Sequence, residues 1–279
     1  MNKPYINLGC GSRFHPDWEN VDIYPSGPGV RVLDLTGELP YREETFEVVY
    51  HSHVLEHLSK KQALPFLCEC FRILKPGGII RVAVPDLENI ARLYIDSLEK
   101  VRAGVPGAVH NHEWMTLELL DQCVREETGG AFTEYFRHGE VPNWDFIAAR
   151  WGSYADIFLA GLQQGAAKEQ PPSPPEIAWG YILRNPTSVL RNKVLKLLIG
   201  AKGREALKIG QFRRAGEVHM WMYDSHSLAA LLQKAGFEHA AQMTAFSSRI
   251  PNWTSFELDT NSNGTVYKAD SLYMEAVKP

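Results

Sequence analysis

Two clusters of side chains have the types and spacing to do chemistry. The first is Asn7-Leu8-Gly9-Cys10-Gly11, a strand-like run that ends in two glycines. Glycines let the backbone turn sharply and approach a ligand closely. In open α/β sheets such turns lie at the carboxyl ends of the strands, where ligands bind. Phe14 stands where the dinucleotide fingerprint needs its third small residue, so a pyrophosphate cradle is not expected. Asp22 and Asp34 lie at or near the ends of the next two strand candidates. A carboxylate at Asp22 can accept hydrogen bonds from both hydroxyls of a ribose, and Asp34 can accept from an adenine amino group. Either acid alone reads equally well as a turn or cap residue. Three such features on three successive strand ends describe a pocket for a nucleoside without phosphates.

The second cluster is His51-Ser52-His53-Val54-Leu55-Glu56-His57. Within it, His53 to His57 fits H-x-x-E-H, the inverzincin zinc signature. On a helix, His53 and His57 can share a metal with Glu56 as base, which would make the chain a zinc hydrolase. The context speaks against this. The motif directly follows a strand rich in β-branched and aromatic residues, and the helix proper has its capping box later, at Ser59 and Gln62. No metal ligands are therefore assigned, and Glu56 and His57 can simply brace the loop.

The elements that must position these residues follow a βα rhythm over residues 1 to 94. Strands are expected at Tyr5–Leu8, Asn20–Ile23, Val30–Leu35, Phe46–Tyr50 and Ile79–Val84. A helix is expected over Ser59–Leu74, with Leu64, Leu67, Phe71 and Leu74 on one side, awkward Pro65 in its first turns, and Pro76-Gly77-Gly78 as its stop. Pro85-Asp86 opens another helix. Near the C-terminus, Asp224 caps a helix that Gly236 ends, and His239–Ala245 and Ser271–Val277 are the last strands. Residues 95–216 break the rhythm and read as a mainly helical insertion, a cap over the substrate.

Composition narrows the class. The 279 residues are 44% hydrophobic and 22% charged, which excludes disordered and fibrous chains. A formal charge of −4 argues against nucleic acid as a partner. Four cysteines without a CxxC pair read as reduced thiols, and neither a signal peptide nor a membrane span is apparent, so a cytoplasmic location is expected.

The ordered motifs resemble class I S-adenosylmethionine-dependent methyltransferases, in the branch with NLGCG at the first motif and VLEH after the fourth strand. Asn7–Gly11, Val21-Asp22-Ile23, Asp34-Leu35, Ser52–His57 and Phe71–Gly78 carry the likeness, joined by His219–Phe237 and Ser271–Lys278. The resemblance covers residues 1–94 and 217–279 and implies a Rossmann-like, mostly parallel α/β sheet with an antiparallel last strand. It implies S-adenosyl-L-methionine as cofactor, held by Asn7, Gly9, Cys10, Gly11, Asp22, Ile23, Asp34, Leu35, Ser52 and His53, with His57 near the reacting methyl. Two departures stand out. The usual acid at the start of the first motif is Asn7, and the gap from Gly11 to Asp22 is too short for a full helix.

For a hydroxyl acceptor a base with pKa near 7 is needed, and histidine is the natural choice. His53, His57, His112 and His219 are the candidates. The acceptor is expected to be a small molecule or lipid-linked saccharide of a cell-surface polysaccharide pathway, since the insertion is rich in flat aromatic faces. Residues 184–214 carry nine Lys/Arg against one Glu around an amphipathic stretch, which suits peripheral contact with a membrane surface or an anionic substrate. The same run leaves open a binding protein that keeps the fold without catalysis. The oligomeric state is not legible.

Overall fold

The computed structural model describes residues 3–25, 27–137, 141–163 and 200–279. The chain divides into two compact units, one made of Met1–Leu119, Pro142–Asp156 and His219–Pro279, the other of Leu120–Val141 and Ile157–Val218. The boundaries expected for the insertion, 95–216, are not those of the second unit, because residues 95–119 and 142–156 belong with the sheet.

The first unit is built on a seven-stranded sheet of β1 (Tyr5–Leu8), β2 (Glu19–Asp22), β3 (Val30–Val32), β4 (Phe46–Ser52), β5 (Leu74–Pro85), β6 (Glu238–Met243) and β7 (Ser271–Val277). Their order is β3-β2-β1-β4-β5-β7-β6, and β7 runs antiparallel to both its neighbours while the other pairs are parallel. This is the Rossmann-like arrangement implied by the sequence, antiparallel seventh strand included.

The helices follow local chemistry. Ser59 caps α1 (Lys60–Ile73) through the Ser59–Gln62 box, and Pro65 sits inside the helix on its exposed side. Asp86 accepts from the Asn89 N–H to start α2 (Leu87–Arg102). Then come α3 (Ala108–Val124), α4 (Gly130–Arg137), α5 (Trp144–Trp151), α6 (Tyr154–Gln163) and α7 (Gly200–Phe212). Asp224 caps α8 (Ser225–Lys234).

Three local expectations are corrected. Strand β3 ends at Val32, because Asp34 turns back to accept from the Thr36 N–H and hydroxyl, which takes Asp34 off the strand end. Pro76-Gly77-Gly78 does not follow a helix end as a free turn. It is looped out inside β5, where the Gly77 N–H donates to Lys278 O and Gly78 O accepts from the Lys278 N–H. Strand β6 stops at Met243, after which Thr244 and Ser247 close a tight turn through their side chains.

No helix links β1 to β2, as the short spacing required. The face of β1 and β4 is instead covered from the long β6–β7 connection. Trp253 and Phe256 pack with Trp18 and Tyr50, the Trp18 ring centroid lying 5.2 Å from Phe256 and 6.0 Å from Trp253. Arg81, the one charge in the apolar run of β5, is fully buried here. It donates to Asp259 Oδ2 at 2.8 Å, Glu275 Oε1 at 2.7 Å and the carbonyls of Thr244 and Ser247. That satisfies a guanidinium which would otherwise be prohibitively costly to bury. The opposite face carries the main core, with α1 and α8 side chains such as Leu67, Ile73, Leu228 and Leu232 against Ile80, Val82 and Leu272.

In the second unit Phe132 and Phe136 of α4 are buried, and Phe136 lies 5.4 Å from Phe158. Asp121 accepts from the Ala131 N–H at 2.6 Å and pairs with Arg125, which also reaches Glu217 at 3.2 Å. Residues 164–199, including Arg184 to Ile199 of the basic run, lie outside the described residues; its remainder is helix α7, with Lys202, Arg204 and Lys208 exposed, and the two arginines that follow it. No described helix is long and apolar enough to cross a membrane.

Candidate functional site

At the carboxyl ends of β1, β2 and β4 lies a cavity of about 310 Å³. Asn7, Gly9, Cys10, Gly11 and Asp22 form one wall, and Ser52 and His53 contribute from the end of β4. Asn7 is buried and donates through its amide to Arg13 O at 2.9 Å, so it braces the loop that follows the first strand. Asp22 Oδ2 accepts from the Gly11 N–H at 2.7 Å and Oδ1 accepts from the Tyr24 N–H at 3.0 Å. An ionised carboxylate has about four acceptor positions. Two remain for a ligand.

The two glycines serve different ends. Both have positive φ, +68° at Gly9 and +50° at Gly11. A Cβ on Gly9 would overlap Val54 Cγ2, so this residue is glycine because the β4 loop packs against it. A Cβ on Gly11 would meet nothing within 4 Å. Only Gly11 therefore leaves open space beside its backbone.

Of the remaining expected cofactor contacts, three are not among the cavity's lining residues. Ile23 is 51% exposed past the end of β2. Asp34 is exposed and occupied by Thr36. Leu35 packs on the core behind Gly9. The structure adds residues that no motif announced. Arg13, Leu258, Tyr267 and Lys268 also line the cavity. The Arg13 guanidinium lies 4.1 Å over the Tyr267 ring and donates to Thr260 O at 2.5 Å. The β6–β7 connection thus supplies the far wall. Its sequence is unpatterned, and only a fold that already places it over β1 makes these residues visible.

The histidine cluster does not form the helix that H-x-x-E-H requires. His53 is in a left-handed conformation (φ +54°), and only Leu55–His57 coil, as a single 3₁₀ turn. His53 Nε2 is 2.9 Å from Ser271 Oγ, and its Nδ1 is 3.1 Å from Glu56 Oε1. Burial, reinforced by the nearby Lys268 charge, pushes the His53 pKa down to about 3. Glu56 is fully buried, and burial raises its pKa against the opposing pull of His57 and Lys268. Burial also lowers the Lys268 pKa, opposed by Asp270 and Glu56. His57 and His219 meet edge to face, with ring centroids 4.8 Å apart. His219 is brought there by backbone bonds, since the Met220 and Trp221 N–H groups both donate to Glu56 O, at 2.7 and 3.2 Å. His112 is elsewhere, with Nδ1 3.1 Å from Ser97 Oγ and its ring against Tyr94. Of the four candidate bases, three gather around Glu56 and one does not.

Residues 19–82, from β2 into β5, match the methyltransferase domain family. Over that stretch the chain is similar to a methyltransferase domain. Over 49 residues it is 41% identical to a protein of Mycolicibacterium smegmatis named "probable S-adenosylmethionine-dependent methyltransferase", a stretch that is 18% of each chain. The chain thus spans less than a fifth of the curated relative it matches. Among solved structures, it is similar to the complex of the Haloferax volcanii Trm112 methyltransferase activator with a methyltransferase. That match has 13% identity, a TM-score of 0.39, and covers 100% of this chain and 84% of that one. It is also similar to an S-adenosylmethionine-dependent methyltransferase of Thermotoga maritima, with 13% identity and a TM-score of 0.37 over 99% of this chain and 82% of that one. TM-scores below 0.5 say nothing about this chain's substrate or partners.

S-adenosylmethionine is the cofactor that this domain implies, and the residues present fit it. The cavity offers a carboxylate with two acceptor positions left for a diol, and no phosphate cradle. Two basic side chains, Arg13 and Lys268, also line it.

Proposed function

We propose that the protein transfers a methyl group from S-adenosylmethionine to a hydroxyl of a small acceptor, a saccharide in the first instance. One observation carries the reading: Asp22, the Gly9–Gly11 bend and His53 line a single cavity at the strand ends. When bound, S-adenosylmethionine supplies a methyl group already activated on a sulfonium. The chain's task is to place an oxygen in line with it, exclude water and take up a proton. Asp22 binds the ribose hydroxyls, and Asn7 and Cys10 hold the loop that presents Gly11. Arg13 and Lys268 receive the amino-acid carboxylate.

The acceptor's proton is released at the centre formed by Glu56, His57 and His219. His53 is a weak base at neutral pH, because its pKa is depressed to about 3. His112 has no part in this reading. Met220 and Trp221, each 41% exposed and next to His219, offer the apolar face that a sugar ring needs.

Calorimetry with S-adenosylhomocysteine, followed by transfer of isotope-labelled methyl to a panel of mono- and disaccharides, tests the reading. Binding together with label on a sugar oxygen is the expected result. Failure of the wild-type chain to bind S-adenosylhomocysteine would remove the cofactor assignment. Binding without transfer to any hydroxyl acceptor would remove the catalytic one.

A further inference from the structure

Glu56 poses a problem that methyl transfer by itself does not solve. It is completely buried, and among the described residues neither Oε1 nor Oε2 has a hydrogen-bond partner. The His53 Nδ1 contact at 3.1 Å falls outside hydrogen-bond geometry, and His57 Nε2 is 4.0 Å away. Buried carboxylates are paired, hydrogen-bonded or bound to a cation. Here the surroundings are imidazoles. A carboxylate oxygen of Glu56 and one ring nitrogen each from His57 and His219 lie within 4.8 Å of one another.

We propose that Glu56, His57 and His219 bind one first-row divalent cation. Ligand atoms about 2.0–2.2 Å from such an ion stand roughly 3.4 Å apart in a tetrahedron, so small side-chain rotations close the observed spacing. One carboxylate with two imidazoles suits zinc or iron(II) and leaves positions open for an exogenous oxygen. The ligand set differs from the H-x-x-E-H reading, in which His53 and His57 share the metal. His53 Nε2 is taken by Ser271 Oγ, so His53 lies beside the carboxylate and outside the ligand set. The third ligand comes instead from His219, 162 positions after His57. Backbone bonds from Met220 and Trp221 to Glu56 O fix that residue against the turn. His53, 3.1 Å from Glu56 Oε1, lines the cofactor cavity, so an ion held by Glu56 would lie next to that cavity and lower the pKa of an acceptor hydroxyl bound to it. That role rests on the proposed function; ion binding does not.

The test uses the full chain, prepared without an affinity tag, stripped with a chelator and carrying Cys68→Ser to remove the exposed thiol. Titration with Co2+ is expected to give visible d–d absorption saturating at a single ion per chain, displaced by Zn2+. His219→Ala and Glu56→Gln should each weaken binding at least about tenfold. Their melting curves and S-adenosylhomocysteine calorimetry show whether fold and cofactor site survive. Absence of d–d absorption in a folded wild-type chain overturns the proposal. So does a His219→Ala chain that binds Co2+ as tightly as the parent. Failure of S-adenosylhomocysteine to bind while Co2+ still does would count against the methyltransferase reading and leave the metal site standing.

Discussion

Replacing Asp22 with alanine tests the cofactor site at its most exposed assumption. The carboxylate is anchored by the Gly11 N–H at 2.7 Å and the Tyr24 N–H at 3.0 Å, which leaves one acceptor position on each oxygen for the two ribose hydroxyls. Hydrogen bonds to an ionised group contribute about 1.5–3 kcal/mol each, so losing two removes about 3–6 kcal/mol of binding. That corresponds to about a hundredfold to ten-thousandfold weaker affinity for S-adenosylhomocysteine. The substitution also frees the Gly11 loop, so loss of affinity by itself does not locate the ribose. The 2′-deoxy analogue separates the two effects. Calorimetry on wild type should show the analogue binding more weakly than the parent ligand, whereas Asp22→Ala should bind both alike. If wild type fails to distinguish them, or Asp22→Ala still does, the diol is not held by this carboxylate and the site assignment is falsified.

Other perturbations read the scaffold. Arg81→Met should cost about 3–5 kcal/mol in urea denaturation, because Asp259 and Glu275 are left as uncompensated buried charges; a loss under about 1 kcal/mol would mean the network is solvated. Gly9→Ala should destabilise by several kcal/mol through overlap with Val54 at φ +68°, while Gly11→Ala, unobstructed at φ +50°, should cost only about 1 kcal/mol. Equal losses on thermal melting would contradict the separate roles argued for them. His51 is fully buried, neither ring nitrogen is hydrogen-bonded among the described residues, and burial lowers its pKa from 6.5 to about 3. The unfolded chain therefore binds a proton that the folded chain refuses. Stability is full above pH 6.5 and falls as pH drops towards 3, by about 2 kcal/mol at about pH 5. The stability of His51→Leu relative to wild type should rise by that amount between neutral pH and pH 5, and a pH-independent difference would rule the mechanism out.

The sheet was legible because its strands are short apolar runs separated by turn residues, and because caps at Ser59, Asp86 and Asp224 obey side-chain chemistry local to a few positions. Residue types at Gly9–Gly11 and Asp22 were legible for the same reason: a bend and an acid at successive strand ends need no long-range information. Asp34 shows the limit. Its Oδ1 accepts from Thr36, two residues on, as Asp22 Oδ1 does from Tyr24, but Asp34 lies past the end of β3 and outside the cavity lining, a placement that residue type does not reveal. The wall built from Tyr267 and Lys268 was invisible, since a loop's partners depend on where the rest of the chain puts it. His219 was singled out as a possible base, yet its meeting with His57 is a tertiary event, secured by two backbone bonds to Glu56.

The missing helix between β1 and β2 explains why that far wall exists. A sheet face of Tyr5, Val48 and Tyr50 exposed to water would forfeit the burial that stabilises the sheet, about 25 cal/mol per Å² of apolar surface. The chain covers it with Trp253, Phe256 and Leu258 from the β6–β7 connection, and Arg81 clamps that segment through Asp259 and the carbonyls of Thr244 and Ser247. A few residues further on, the same segment delivers Tyr267 to Arg13 and Lys268 to the cavity. The short β1–β2 connection and the long β6–β7 connection are thus complementary. The long one closes over the Gly9–Gly11 bend, so covering the sheet and enclosing the cavity are achieved by a single stretch of chain.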